Sequence, residues 1–144
     1  MPGLNEKKIY RILDANLNRA KEGLRVCEDV FRFVLEAKTP TRQWKDIRHQ
    51  LTQAAAPLGW DTLIAARDIE TDVGKHSSVS ENRRGDCQEV FRANVQRAKE
   101  SVRVLEEFAK LVAPAAAESF KKIRYAIYAV EKQSAIRLKT LSDS

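Results

Sequence analysis

At 144 residues the chain has the length of one domain and can bury a core without disulfide or metal staples. Hydrophobic residues make up 43% of it, while glycine and proline are few, which excludes the disordered and fibrous classes. The net charge of +6 suits anionic partners, but acids alternate with the bases and no Lys/Arg block or zinc-finger spacing stands out, so a pocket for a phosphorylated small molecule fits better than a nucleic-acid footprint.

No apolar run reaches the roughly 18 residues of a membrane span, and the start of the chain lacks the apolar stretch of a secretory signal, so a soluble, cytoplasmic protein with no membrane partner is expected. From 7 to 37 the residues Ile9, Ile12, Leu13, Ala20, Leu24, Cys27, Val30, Phe31 and Val34 keep a 3.6-residue period, predicting a long amphipathic helix. Thr39 and Pro40 read as the cap and first turn of a second helix, which carries Trp44, Ile47, Leu51 and Ala54 inward and runs to Pro57 before Gly59. Residues 61–66 are ambiguous, and 67–86 form a polar loop without period. A third long helix is expected over 88–112. A fourth, over 114–138, turns Phe120, Ile123, Ile127, Val130 and Ala135 inward. Cys27 and Cys87 have no metal-ligand spacing and read as free thiols.

The chain repeats itself. Asn16, Arg19, Ala20, Lys21, Glu22, Arg25, Val26 and Glu28 return 78 residues later as Asn94, Arg97, Ala98, Lys99, Glu100, Arg103, Val104 and Glu106. The segment Trp44-Lys-Asp-Ile47-Arg48 returns 76 residues later as Phe120-Lys-Lys-Ile123-Arg124. The repeat unit is therefore a helical hairpin, with halves at about 7–57 and 86–140 joined by the 67–86 loop. Two such hairpins, each with an apolar face it cannot bury alone, predict one all-α antiparallel bundle spanning 1–144. Packing alone preserves apolar period rather than particular polar residues, so the retained ones point to a shared ligand.

On a helical wheel Asn16 and Asn94 fall within the apolar stripe, with Arg19 and Arg97 at its inward-facing edge. A buried amide without a partner costs roughly 1 to 3 kcal/mol, so each asparagine is expected to bond another helix, a water or a ligand. The competing reading is a polar pair that fixes bundle register. Glu22 and Glu100 lie near enough to the adjacent arginine to orient it, and Gly23 allows close helix approach, with room for a flat group between. Arg25, Glu28 and Asp29, with Arg103, Glu106 and Glu107, have the spacing of a surface ion-pair ladder, the favoured reading for Arg25 and Arg103.

The loop concentrates Arg67, Asp68, Glu70, Asp72, Gly74, Lys75, Ser77 and Ser78, the residue types of a Mg²⁺-phosphate site. It fits neither an EF-hand, which would need glycine at Val73 and an acid at Val79, nor a Walker A loop, since His76 follows Gly74-Lys75. His49 and His76 are too isolated for a triad or a zinc site.

Taken together, Asp14-Ala-Asn16-Leu-Asn-Arg19-Ala-Lys-Glu22-Gly-Leu-Arg25-Val, Arg67-Asp68 with Asp72-Val-Gly74, the Asn94 to Glu107 segment, and Phe120-Lys-Lys-Ile-Arg124-Tyr125 with Tyr128 resemble the small hydroxymethylpyrimidine phosphate kinases of thiamine biosynthesis. That family occurs alone or fused ahead of thiamine phosphate synthase. The resemblance implies a kinase that adds a second phosphate to hydroxymethylpyrimidine monophosphate from ATP with Mg²⁺ and rejects the unphosphorylated pyrimidine. On this reading Arg19, Arg97 and Asp72 are the catalytic candidates. Asn16, Glu22, Asn94, Glu100, Arg67, Gly74, Lys75, Arg48 and Arg124 are the substrate- and nucleotide-binding ones, and Asp68 and Asp72 the Mg²⁺ ligands. The family commonly carries a small hydroxyl residue after the loop glycine, where this chain has Lys75. A fused or separate synthase is the implied partner; oligomeric state is left open. Two other readings cover part of the pattern. Corrinoid adenosyltransferases are also ATP-using bundles with a glycine-acid loop, but their basic N-terminal loop is absent here. A non-enzymatic interaction module would bind a partner protein through the repeated faces.

Overall fold

The computed structural model describes residues 3–76 and 82–142. Five α-helices carry the fold: α1 (Leu4–Asp29), α2 (Lys38–Ala55), α3 (Trp60–Ala66), α4 (Cys87–Val112) and α5 (Pro114–Ser142), and no strand occurs among the described residues. A π-helical turn, Val30–Val34, extends α1, and a 3₁₀ turn, Ala56–Leu58, extends α2. The expected all-α bundle of two hairpins is what forms. α1 packs on α4 and α2, α5 packs on α4 and α2, and α3 lies against α1, so the four long helices close a ring around one core.

The ends of the elements have local causes. Asp86 caps α4 by accepting from the Glu89 N–H, while the Glu89 carboxylate reaches back to the Gly85 N–H. This reciprocal arrangement satisfies donors that the first helical turn cannot. One residue, Ala113, separates α4 from α5, and Pro114 opens the next helix at a position where its missing N–H costs nothing. Gly59 sits at φ +82°, a left-handed conformation that glycine adopts without strain, and this turn redirects the chain into α3.

Three expectations are corrected here. Ala37, not Thr39, holds the N-cap position of α2, which begins at Lys38; Pro40 then falls within the first turn, where N–H groups have no intrahelical partner anyway. Val34 is exposed rather than inward, because the π turn, marked by Leu35 N–H bonding Val30 O at 3.1 Å, inserts an extra residue and rotates the stripe so that Leu35 packs on the core instead. Ala135 is exposed, and Ser134 takes the inward position four residues after Val130.

Ser134 accepts the indole N–H of Trp44 at 3.0 Å, satisfying a donor that would otherwise be stranded in the core. Phe91 packs edge-on against both Phe31 and Trp44, at 5.6 and 5.9 Å between ring centroids, so residues from both halves share one aromatic cluster. Each such fully buried side chain contributes about 1.5 to 3 kcal/mol. Both cysteines are free thiols; Cys27 is buried, which pushes its thiol pKa up, and Cys87 is exposed. No helix among the described residues is long and apolar enough to cross a membrane.

Candidate functional site

The repeated polar residues build the same device twice. In the first hairpin Glu28 of α1 is buried and accepts from Arg48 of α2, through Nε at 3.2 Å and a terminal nitrogen at 3.1 Å. In the second hairpin buried Glu106 of α4 accepts from Arg124 Nε of α5 at 2.9 Å and from Arg103 at 2.9 Å. Glu28 and Glu106 are 78 residues apart, and Arg48 and Arg124 are 76 apart, so each contact is the other's repeat. A buried carboxylate beneath a guanidinium fixes its plane and leaves its remaining N–H donors facing outward. Hydrogen bonding to Glu106, and then to the Tyr128 hydroxyl at 3.3 Å, raises the Arg124 pKa above its ordinary value.

Each fixed arginine lines an open recess in its own hairpin. The α1–α2 recess, of about 420 Å³, is lined by Lys21, Glu22, Arg25, Arg48 and Thr52. The α4–α5 recess, of about 500 Å³, is lined by Gln96, Lys99, Glu100, Arg103, Arg124 and Tyr128. Five positions of each are repeats, from Lys21 and Lys99 to Thr52 and Tyr128, Gln96 lines only the second, and the two recesses share no residue. Neighbouring carboxylates pair with their cations: Arg103 also meets Glu107 at 3.1 Å, Lys99 meets Glu131 at 2.9 Å, and Arg25 meets Asp29 at 3.9 Å. Each recess is thus a set of oriented donors rather than a pool of excess charge. Such a set suits an anion with several acceptor oxygens.

Glu22, Glu100, Arg48 and Arg124 therefore come together as the repeat implied, two in each hairpin. The other helix candidates are placed differently. Asn16 is buried and Asn94 partly so, but each amide bonds a carbonyl one turn back in its own helix, Ile12 O at 2.9 Å and Val90 O at 2.8 Å, so neither depends on another helix or a ligand for its donor. Arg19 and Arg97 are exposed rather than inward, because a long side chain at the edge of a stripe extends its head into water. Arg19 reaches Asn16 Oδ1 at 3.5 Å, and Arg97 pairs with no carboxylate among the described residues. No flat group fits beside Gly23, where the α4 backbone already fills the space.

The start of the loop is tied to α1. Arg67 donates twice to the buried carboxylate of Asp14, at 2.8 and 2.9 Å, and that hydrogen bonding raises its pKa. Arg11 holds the carbonyl of Asp68 at 2.7 Å. Asp68 accepts from the hydroxyl and N–H of Thr71, which lowers its pKa. Asp72 accepts from the Gly74 N–H at 2.9 Å. Lys75 and His76 are exposed, and Ser77, Ser78 and Val79 lie outside the described residues. Among the described residues no group of three or more His, Cys, Asp or Glu side chains is placed to hold a metal, and no hydrogen bond joins Asp72, Gly74 or Lys75 to either recess.

Sequence reasoning did not assign Lys21, Lys99, Glu28, Glu106, Thr52, Tyr128 or Asp14 to a site. Except for Asp14, the signal was present, since these positions lie inside or beside the repeated segments. The Asp14–Arg67 pair joins residues 53 apart, and a single long-range pair leaves no periodic trace.

A model of the ThiD2 family matches residues 11–133. A thiamine-phosphate synthase of Synechocystis sp. is 47% identical over 124 residues, covering 85% of this chain and 35% of its own. The thiamine-phosphate synthase of Nostoc punctiforme is 39% identical over 127 residues, covering 88% of this chain and 35% of its own. That of Rhodopirellula baltica is 35% identical over 143 residues, covering 99% and 38%. The chain thus spans little more than a third of the length of these curated relatives. No solved structure matches it.

Proposed function

The chain belongs to the ThiD2 family, and on that premise we propose that it phosphorylates hydroxymethylpyrimidine monophosphate to the diphosphate, using ATP, in thiamine biosynthesis. The observation that carries the proposal is the retained Glu–Arg device, Glu28 with Arg48 and Glu106 with Arg124, each at a recess with a lysine and a second arginine. Both reactants are phosphates, and fixed guanidinium donors are what phosphate oxygens require. That the relatives are named for thiamine phosphate supports the same assignment.

The reaction asks little covalent chemistry of the protein. A non-bridging oxygen of the substrate phosphate attacks the γ-phosphorus of ATP, the bond from that phosphorus to the β–γ bridging oxygen breaks, and ADP leaves with the electron pair. The acceptor is already ionised above a second phosphate pKa of about 6, so no side chain need remove a proton. What remains is positioning and neutralisation of charge on the transferred group. Lys99, Arg103 and Arg124 serve this from one recess, and the exposed heads of Arg19 and Arg97, neither paired with a carboxylate among the described residues, are further cations that phosphate oxygens could take up, one from each half. Mg²⁺, if bound, would supply neutralisation of charge on the nucleotide phosphates. Asp68 and Asp72 offer the hard oxygen donors it takes, and with two such carboxylates the ion would share its coordination with phosphate and water.

The test is ³¹P NMR of the purified protein with ATP, Mg²⁺ and the pyrimidine monophosphate. One ADP per diphosphate formed is expected, with loss of at least tenfold in rate on Arg124→Ala. ATP consumed without diphosphate, or an unaffected Arg124→Ala variant, contradicts the assignment.

A further inference from the structure

The two recesses have equivalent cations but differ at one wall. Where the α1–α2 recess has Thr52, the α4–α5 recess has Tyr128, and where α2 carries His49, α5 carries Tyr125. Tyr128 is 42% exposed and Tyr125 58%, so both present ring surface to solvent. Tyr128 is nonetheless held: its hydroxyl accepts from Arg124, its ring meets Tyr125 edge-on at 5.9 Å, and the Lys99 and Arg124 cations lie 5.6 and 5.8 Å from its centroid. An aromatic wall fixed beside phosphate-binding donors is a preformed stacking surface. Its repeat offers only a methyl and a hydroxyl.

We propose that the recesses have diverged: the α4–α5 recess binds a planar heterocycle bearing a phosphate, stacked on Tyr128 with its phosphate on Lys99, Arg103 and Arg124, whereas the α1–α2 recess binds phosphate without reading the ring. This rests on the proposed function only for the identity of the natural ligand. The division assigns ring recognition to the second half of the repeat and leaves the first as an additional phosphate site.

The experiment is calorimetric titration without ATP, using hydroxymethylpyrimidine monophosphate and, as a ring-free probe, methyl phosphate. Tyr128→Ala is expected to weaken the heterocyclic phosphate by about 5- to 150-fold, the range that loss of one stacking partner produces. Methyl phosphate should change less than twofold, and Tyr128→Phe should retain most of the ring preference. The preference for the heterocyclic phosphate over methyl phosphate should survive Thr52→Ala, and Thr52→Tyr, which places a ring in the first recess, should bring that preference to the first recess as well. Ring preference that survives Tyr128→Ala, or that is lost with Thr52→Ala, overturns the proposal. Because nothing turns over, the outcomes separate. A chain that shows tyrosine-dependent ring preference but makes no diphosphate refutes only the kinase assignment. One that makes diphosphate with ring binding indifferent to Tyr128 refutes only this division.

Discussion

Gly23 of α1 lies directly against the backbone carbonyl of Asn94 in α4, so closely that a β-carbon at position 23 would come within 2.8 Å of that oxygen. The obstacle is main chain of a packed helix and cannot rotate away. Alanine would gain up to ~1 kcal/mol of helix propensity, but overpacking at a helix contact costs about 1 to 3 kcal/mol. Gly23→Ala should therefore lower stability by roughly 1 to 2 kcal/mol, read as a fall in urea midpoint with the slope unchanged. A stabilised variant would mean that the helices stand farther apart.

Arg67 and Asp14 should respond unequally to mutation. Asp14 is buried, whereas the Arg67 side chain is 42% exposed. Arg67→Ala leaves a carboxylate in the interior without its guanidinium, a change that costs on the order of 3 kcal/mol when a buried pair is broken. Asp14→Ala releases an arginine that water can solvate, and should cost about 1 kcal/mol or less. Both should speed amide exchange over 67–76. Equal losses in the two variants would contradict the burial difference.

Glu106 acts on the recess through the arginines it holds. Glu106→Gln keeps the shape and removes the charge that fixes Arg124 and Arg103. Phosphate binding should weaken about tenfold, the scale of one charge-assisted hydrogen bond, and Arg124→Lys should lose as much because an ammonium cannot reproduce the planar fork. Calorimetric titration with methyl phosphate checks both. Unchanged affinity would reduce the Glu–Arg device to a structural ion pair.

The helices were legible because their apolar period is long and unbroken, and the hairpin duplication because identities such as Lys21 with Lys99 recur at a fixed offset. What escaped depends on tertiary geometry. The π turn at Val30–Val34 swings Val34 outward, and nothing in the local period announces it. Glu28 and Glu106 read as surface ladder members because a wheel gives direction but not the arginine arriving from the next helix. Arg19 and Arg97 were drawn inward by a Cα direction that says little about where a long side chain ends.

The pH dependence has two parts. Arg124 is raised further above its already high ordinary pKa, so its guanidinium stays charged throughout. Affinity for a phosphate monoester should then rise from pH 5 to 7, following the ligand's own second ionisation near ~6, and level off above it. Stability behaves differently. Hydrogen bonding from Lys110 lowers the Glu107 pKa, and Thr71 does the same for Asp68. A carboxyl group depressed in the folded state stabilises fully above its unfolded value of about 4 and loses that contribution as pH falls through the folded value. Both groups are exposed, so the acid-side loss should be shallow. A binding profile that peaks and falls by pH 8 would implicate another titrating group.

The most direct measurement offers the purified protein ATP and Mg²⁺ with hydroxymethylpyrimidine monophosphate and, in parallel, with free hydroxymethylpyrimidine, following the products by chromatography. Formation of diphosphate from the monophosphate alone is the expected result, because the outward-facing donors of the retained arginines meet a pyrimidine substrate's anion only when it already carries a phosphate. Phosphorylation of the free pyrimidine at a comparable rate, or no product from either, would contradict the account.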